Sequence, residues 1–133
     1  MGNINYEGII LPGEYAICET TVGPENTARA VCSGGIDVFA TPMMIALMES
    51  AGCDCLQKFL ENGITSVGTK VNIEHTAASP IGAKITATAT VVSVSGRMVE
   101  LQVSAKDDTR EIGRGTHTRA IIHIDKFMAK LNR

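Results

Sequence analysis

The chain has no tryptophan, and only Tyr6, Tyr15, Phe39, Phe59 and Phe127 are aromatic among its 133 residues. So thin an aromatic supply excludes a base-stacking platform for single-stranded nucleic acid. An excess of either charge is missing too. Twelve basic and 14 acidic side chains leave a formal net charge of −2, which gives no pull toward nucleic acid or an anionic membrane. No apolar run is long enough to span a bilayer. The opening MGNINYEGII lacks the basic stretch and long apolar run of a secretory leader. Tyr6 stands where acylation of Gly2 would need Ser or Thr. These absences read as a cytoplasmic protein, where thiols stay reduced. The four cysteines, Cys18, Cys32, Cys53 and Cys55, include a Cys-Asp-Cys spacing that fits neither C-x2-C nor a Cys/His pair. They are expected to be free, mostly buried thiols, with no metal and no cofactor. Repeats and low-complexity stretches are also lacking. One domain over residues 1–133 is expected, long enough to bury roughly two-thirds of its unfolded surface.

What is present has a clear order. YEGIILPGEYAICETTV reads as a short strand, a turn at Pro12-Gly13 and a second strand. GPENTARAVCSGGIDVFA carries turn signals at both ends and reads as a connection with a flexible point at Ser33-Gly34-Gly35. A helix follows from Pro42 to about Glu61. Thr41 is placed as its N-cap, Pro42 at the first helical position, and Asn62-Gly63 as its stop. Met43 to Met48 leave no polar face in the first two turns, and a helix apolar all round is expected to be buried all round. Beyond Gly63 the period changes to two. SVGTKVNIEH, AKITATATVVSVSG, RMVELQVSAKDD and REIGRGTHTRAIIHI read as strands, with a tight Ser95-Gly96 turn and DKFMAKL as a short end segment. Ile85, Ala87, Ala89, Val91 and Ser93 fall on one side of the second of these strands. An antiparallel sheet curled around the helix, an α+β arrangement, would cover the helix on most sides.

Glu49 is then the anomaly, a carboxylate set in the most apolar part of the chain. Burying an ionised carboxylate without partners is very costly. Either the helix has emerged into solvent by this point, or Glu49 sits in a semi-dry cleft as a base or nucleophile. His75, in IEHTAASPIG, precedes small residues that would leave room for a ligand, although a lone histidine is more often structural. His117 alternates with Thr116 and Thr118 and can face either side, and His123 in IIHI reads as structural. Capping explains Thr41 by itself, yet a helix N-terminus also suits a developing negative charge. Eight residues of helix would separate Thr41 from Glu49 by roughly 12 Å. A symmetric dimer could supply one of the groups from its second chain.

The segments VFAT, LMESA, SVGTKVNIEHTAASPIG and EIGRGTHTRAIIHIDKFMAKL resemble those of hotdog-fold acyl-CoA thioesterases, most closely the fluoroacetyl-CoA thioesterase type, from about Val22 to the C-terminus. The resemblance implies a curved antiparallel sheet wrapped around one long central α-helix. It implies hydrolysis of a small acyl-CoA thioester by a Thr/Glu/His set, carried here by Thr41, Glu49 and His75. Gly68, through its backbone, and Arg119 would bind substrate. Glu49 would attack the thioester carbonyl or activate water, Thr41 would position a reacting group, and His75 would serve water and the leaving thiolate. A homodimer is implied, with a tetramer left open. One stretch departs from the family pattern. Phenylalanines ahead of the helix form a hydrophobic lid in the fluoroacetyl-specific enzyme, whereas RAVCSGGIDVFA is glycine-rich and holds only Phe39. That implies a more open entrance and a different small acyl group. Two other functions fit the same fold: a hydratase or dehydratase, and a non-catalytic acyl-CoA or metabolite binder.

Overall fold

The computed structural model describes residues 4–132, so the Met1-Gly2 start weighed above for acylation lies outside the described residues. The elements run β1 (Tyr15–Thr21), α1 (Thr41–Gln57), β2 (Ile64–His75), β3 (Lys84–Ser95), β4 (Met98–Lys106), β5 (Glu111–His123) and α2 (Ile124–Ala129). The five strands form one antiparallel sheet in the order β1-β3-β4-β5-β2. This is the hotdog arrangement, with α1 held in the curl of the sheet. The hairpins β3–β4 and β4–β5 are local. The pairings of β1 with β3 and of β2 with β5 are long-range, and β1 and β2 are the two edges.

Strict alternation explains the sheet's inner face. Ile85, Ala87, Ala89 and Val91 of β3, and Val99, Leu101, Val103 and Ala105 of β4, are all buried. Ser93 leaves this face because the register slips between Val91 and Ser93. A bulge there sets two residues against one and turns every later side chain over.

Met44, Met48, Ala51, Gly52, Cys55 and Leu56 form the buried stripe of α1. Their spacing of three and four keeps them on one side of a 3.6-residue helix. The opposite stripe is open: Pro42, Ala46, Ser50 and Asp54 are exposed. This corrects the expectation of a helix covered all round, because five strands from one chain cover only one side. The helix is also shorter than the sequence suggested. It ends at Gln57 with Lys58 as C-cap, and Gly63, at φ +87°, makes the later turn into β2. Among the described residues upstream of β1, only an isolated bridge between Glu7 and Ile10 forms, in place of a short strand. The four cysteines are free as expected, yet only Cys55 is fully buried.

Candidate active site

The inward residues of β2 meet the flank of α1 at two places. One is at the start of α1. Its N-cap is Ala40 and its first residue Thr41, and no side chain caps it. Pro42 presets the first turn and spares one amide that would be unpaired there. The Thr41 hydroxyl is therefore not occupied in capping. It lies 2.8 Å from His75 Nδ1. His75, the last residue of β2, brings its other nitrogen, Nε2, to a buried position with no hydrogen-bond partner. Burial pushes the imidazole below its ordinary value, with the Ala77 backbone offsetting part of the effect. Both residues line a cleft of about 280 Å³ with Ala28, Ser33, Val38, Phe39, Thr76, Ala77 and Ala78. The wall is small and mostly uncharged.

Two connections hold this wall in place. The glycine-rich segment folds back on itself through the bridge Thr27–Phe39 and an exposed Arg29–Asp37 pair at 3.1 Å, and the bridge Val38–Pro80 ties it to the loop after His75. The loop after His75 is tied down by fully buried Ser79, whose hydroxyl donates to Asp107 at 2.8 Å. Asp107 sits in the β4–β5 turn. Hydrogen bonds, first from the Thr109 amide and then from Ser79, Thr109 Oγ1 and the Arg110 amide, hold its carboxyl at about 2, against an ordinary 3.8.

The second place is two turns further along α1. Glu49 faces Gly68 of β2 and Arg119 of β5, which are cross-strand partners. Arg119 is 6% exposed and its guanidinium is fixed on three sides. Nε donates to Ser66 Oγ at 2.8 Å, Nη2 to the Ser66 carbonyl at 3.0 Å, and Nη1 to His117 Nε2 at 3.1 Å. His117 Nδ1 lies 2.8 Å from the Lys70 carbonyl. A carbonyl can only accept and a guanidinium can only donate, so His117 carries its proton on Nδ1 and offers a lone pair at Nε2. It acts as a wedge that aims the arginine. Glu49 Oε2 stands 3.8 Å from Arg119 Nη1, with the carboxylate side chain 43% exposed. Among the described residues no hydrogen bond to Glu49 is found. The acid is thus neither dry nor freely solvated: it rests beside a desolvated, immobile cation. Gly68 leaves it that space, because a Cβ there would lie 2.6 Å from Glu49 Oε2.

The structure brings Thr41 to His75, and Glu49 to Gly68 and Arg119. No hydrogen bond or ion pair among the described residues joins the two groups, and the helix separates them by about 12 Å. His117 is the residue that sequence reasoning left undecided. The alternation His117, Arg119, Ile121 on β5 was the available signal, since a buried Ile121 fixes the parity of the other two.

Comparison with known proteins agrees with the fold. A profile of the fluoroacetyl-CoA-specific thioesterase family matches residues 22–125. The fluoroacetyl-CoA thioesterase of Streptantibioticus cattleyicolor is 48% identical over 95 residues, covering 71% of this chain and 68% of that protein. A solved structure of a fluoroacetyl-CoA thioesterase superposes with a TM-score of 0.86 at 41% identity, covering 91% of this chain and 94% of the other. A thioesterase superfamily member from Thermus thermophilus superposes with a TM-score of 0.86 at 31% identity, covering 93% and 92%. With its hotdog sheet and central helix, the chain belongs to the fluoroacetyl-CoA-specific thioesterase family.

Proposed function

We propose that the protein hydrolyses a small acyl-CoA thioester to the free acid and CoA, in a single hotdog domain that works as a homodimer. The observation that carries this reading is His75. One nitrogen is held by Thr41, and the other is buried, unpartnered and at the wall of a cleft. A buried polar atom without a partner is rare enough in folded proteins to need a reason, and a substrate or water supplies one. With Nδ1–H donating to Thr41 Oγ1, Nε2 can take a proton from the attacking water and return it to the departing thiolate. Burial keeps the ring neutral near pH 7, as a base requires.

Glu49 supplies the oxygen side of the reaction. Its carboxylate either attacks the thioester carbonyl, forming an anhydride that water then opens, or orients the water that attacks. Both routes consume one water and yield acid and thiol. Arg119 holds the carboxylate in place and Gly68 gives it room beside the substrate.

Two groups about 12 Å apart in one chain have to meet at one thioester. A second chain closes the distance. β2 is an edge strand of 12 residues, and its stretch 68–72 is exposed. Such an edge invites a second strand. Antiparallel pairing of two β2 strands about a two-fold at Asn72, with Thr69 left out as the bulged residue, sets the partner's His75 opposite Gly68. Each site would then combine Glu49, Gly68 and Arg119 of one protomer with Thr41 and His75 of the other. Mixing and refolding two inactive variants, Glu49→Ala and His75→Ala, tests this. Mixed dimers would hold one intact site, so activity should return to roughly a quarter of wild type; no recovery would place all groups in one chain.

The acyl class follows from thiol release with acetyl-, fluoroacetyl-, propionyl-, butyryl- and longer acyl-CoAs. The open wall at Ser33 to Gly35 supports a small acyl group other than fluoroacetyl. Loss of enoyl absorbance from crotonyl-CoA without thiol release would instead make the protein a hydratase. Binding of CoA thioesters with no turnover would make it a binding module.

A further inference from the structure

Thr41 is the first residue of α1 and His75 the last of β2, so each stands where a regular element meets a connection. The 2.8 Å contact between them therefore depends on how the two connections are held. Ser79 holds both. Its carbonyl accepts from the Phe39 amide at 2.9 Å, two residues before Thr41. The Val38–Pro80 bridge lies alongside. At the start of the same loop the Thr76 amide donates to the Ile112 carbonyl at 2.7 Å, and His75 is paired with Gly113. The loop after His75 is thus anchored to β5 at one end and to the segment before α1 at the other.

Ser79 is itself fixed by Asp107. The serine is fully buried, and a buried hydroxyl without an acceptor is costly. Asp107 Oδ2 is that acceptor, at 2.8 Å. The β4–β5 turn does not need this oxygen. Oδ1 alone accepts from the Thr109 amide at 2.9 Å, Thr109 Oγ1 at 2.9 Å and the Arg110 amide at 3.1 Å. The Asp107 amide closes the same turn on the Arg110 carbonyl at 2.9 Å. One carboxylate oxygen serves the turn and the other serves Ser79. An ionised carboxylate accepts on both oxygens, and a charge-assisted bond is short and directional. A turn that rigid gives Ser79 a fixed point to hang from.

We propose that Ser79 and Asp107 are positioning residues for hydrolysis: Asp107, set by its own turn, holds the Ser79 hydroxyl, and the Ser79 backbone then keeps Phe39, and with it Thr41, where Thr41 grips His75 Nδ1. Neither residue is among those described as lining the cleft, so both act through Thr41 and His75 and not on the substrate. The inference rests on the acyl-CoA reading above and names the residues that prepare its base.

The test compares Ser79→Ala, Asp107→Asn and Thr109→Ala, each checked for folding by its melting curve. Ser79→Ala keeps the backbone bond to Phe39 and loses its anchor. Asp107→Asn keeps an oxygen for the turn and sets an amide donor against the Ser79 hydroxyl. In both, kcat for acetyl-CoA should fall about ten- to hundredfold with KM little changed. Thr109→Ala removes one bond to Oδ1 and spares Oδ2, so it should keep the wild-type kcat. The double variant Ser79→Ala/Thr41→Val should be no slower than Thr41→Val, because both changes act on one contact. A second readout needs no turnover. In the nitrogen NMR spectrum, the His75 signals, identified by their loss in His75→Ala, should show the Nδ1–H tautomer in the wild type. In Ser79→Ala they should shift toward the Nε2–H form that a free imidazole side chain favours. If the wild type releases no thiol and the tautomer still shifts in Ser79→Ala, the thioesterase reading fails and the positioning role stands. If folded Ser79→Ala keeps the wild-type His75 spectrum, or if its loss of rate multiplies with that of Thr41→Val, the positioning role is overturned.

Discussion

Replacing Gly68 by alanine should remove activity while leaving the fold almost untouched. The added Cβ would meet Glu49 Oε2 at 2.6 Å, His117 Cε1 at 3.0 Å and Arg119 Nη1 at 3.4 Å. Only the first of these is severe, and it falls on the group most able to move. Arg119 is fixed by Ser66 and His117, and His117 by Lys70. Glu49 is 43% exposed and has only the ion pair with Arg119. The carboxylate must retreat by about 0.8 Å to restore the 3.4 Å of ordinary contact. A displacement of about 1 Å at a reacting group costs on the order of 100-fold in rate, or about 2.7 kcal/mol of barrier. Stability should change little. Alanine in a strand gains roughly 0.5–1 kcal/mol over glycine, and the tight contact with His117 takes back part of that. The assay is steady-state thiol release beside thermal melting, for Gly68→Ala, Glu49→Ala and the double variant. If the alanine acts through Glu49, the double variant should be no slower than Glu49→Ala alone. Wild-type kcat in Gly68→Ala, or a drop in stability of several kcal/mol, would refute the reasoning.

Three further outcomes follow from the same geometry. Thr41→Val should lower kcat about 100-fold by freeing the His75 ring, while stability changes by no more than about 1 kcal/mol; Thr41→Ser should keep most of the activity, and equal losses in the two variants would contradict the hydroxyl's role. The acid limb of kcat/KM should have its midpoint below the ordinary histidine value of 6.5, because burial depresses His75. For stability the sign is the same: the unfolded chain takes up the proton more readily, so His75 costs stability as pH falls through 6.5, and a kinetic midpoint above 6.5 would contradict the assignment. Arg119→Lys should cost about 2–4 kcal/mol in chemical denaturation, since one ammonium cannot replace three directed contacts at Ser66 Oγ, the Ser66 carbonyl and His117 Nε2.

Much of this architecture was legible in the sequence because burial on one face imposes a period. The alternation from Ile85 to Val91 gave β3 its inner face, whereas the buried stripe from Met44 to Leu56 was hidden by apolar residues on the other faces of α1. The misreadings came where a local preference met a tertiary competitor. Thr41 looks like an N-cap because threonine before proline usually is one; in the fold its hydroxyl goes to His75, 34 residues away. Ser93 belongs to the right parity but follows a bulge, which no pattern of letters announces. The helix appeared covered on all sides because its first two turns lack polar residues, yet Ala46 is exposed. By its letters His117 can face either side, and Arg119 receives a substrate role only through the resemblance. Their hydrogen bonds to Ser66 and Lys70 depend on the β2–β5 register, fixed by strands about 50 residues apart.

The central claim is that His75 and Glu49 together hydrolyse an acyl-CoA thioester. The most direct measurement is the rate of free thiol release from acetyl-CoA by wild type, His75→Ala and Glu49→Ala, each shown to be folded by circular dichroism. The account predicts turnover by wild type and a loss of at least 100-fold in both variants. Wild-type rates in either folded variant, or no thiol release from any acyl-CoA by the wild-type protein, would contradict it.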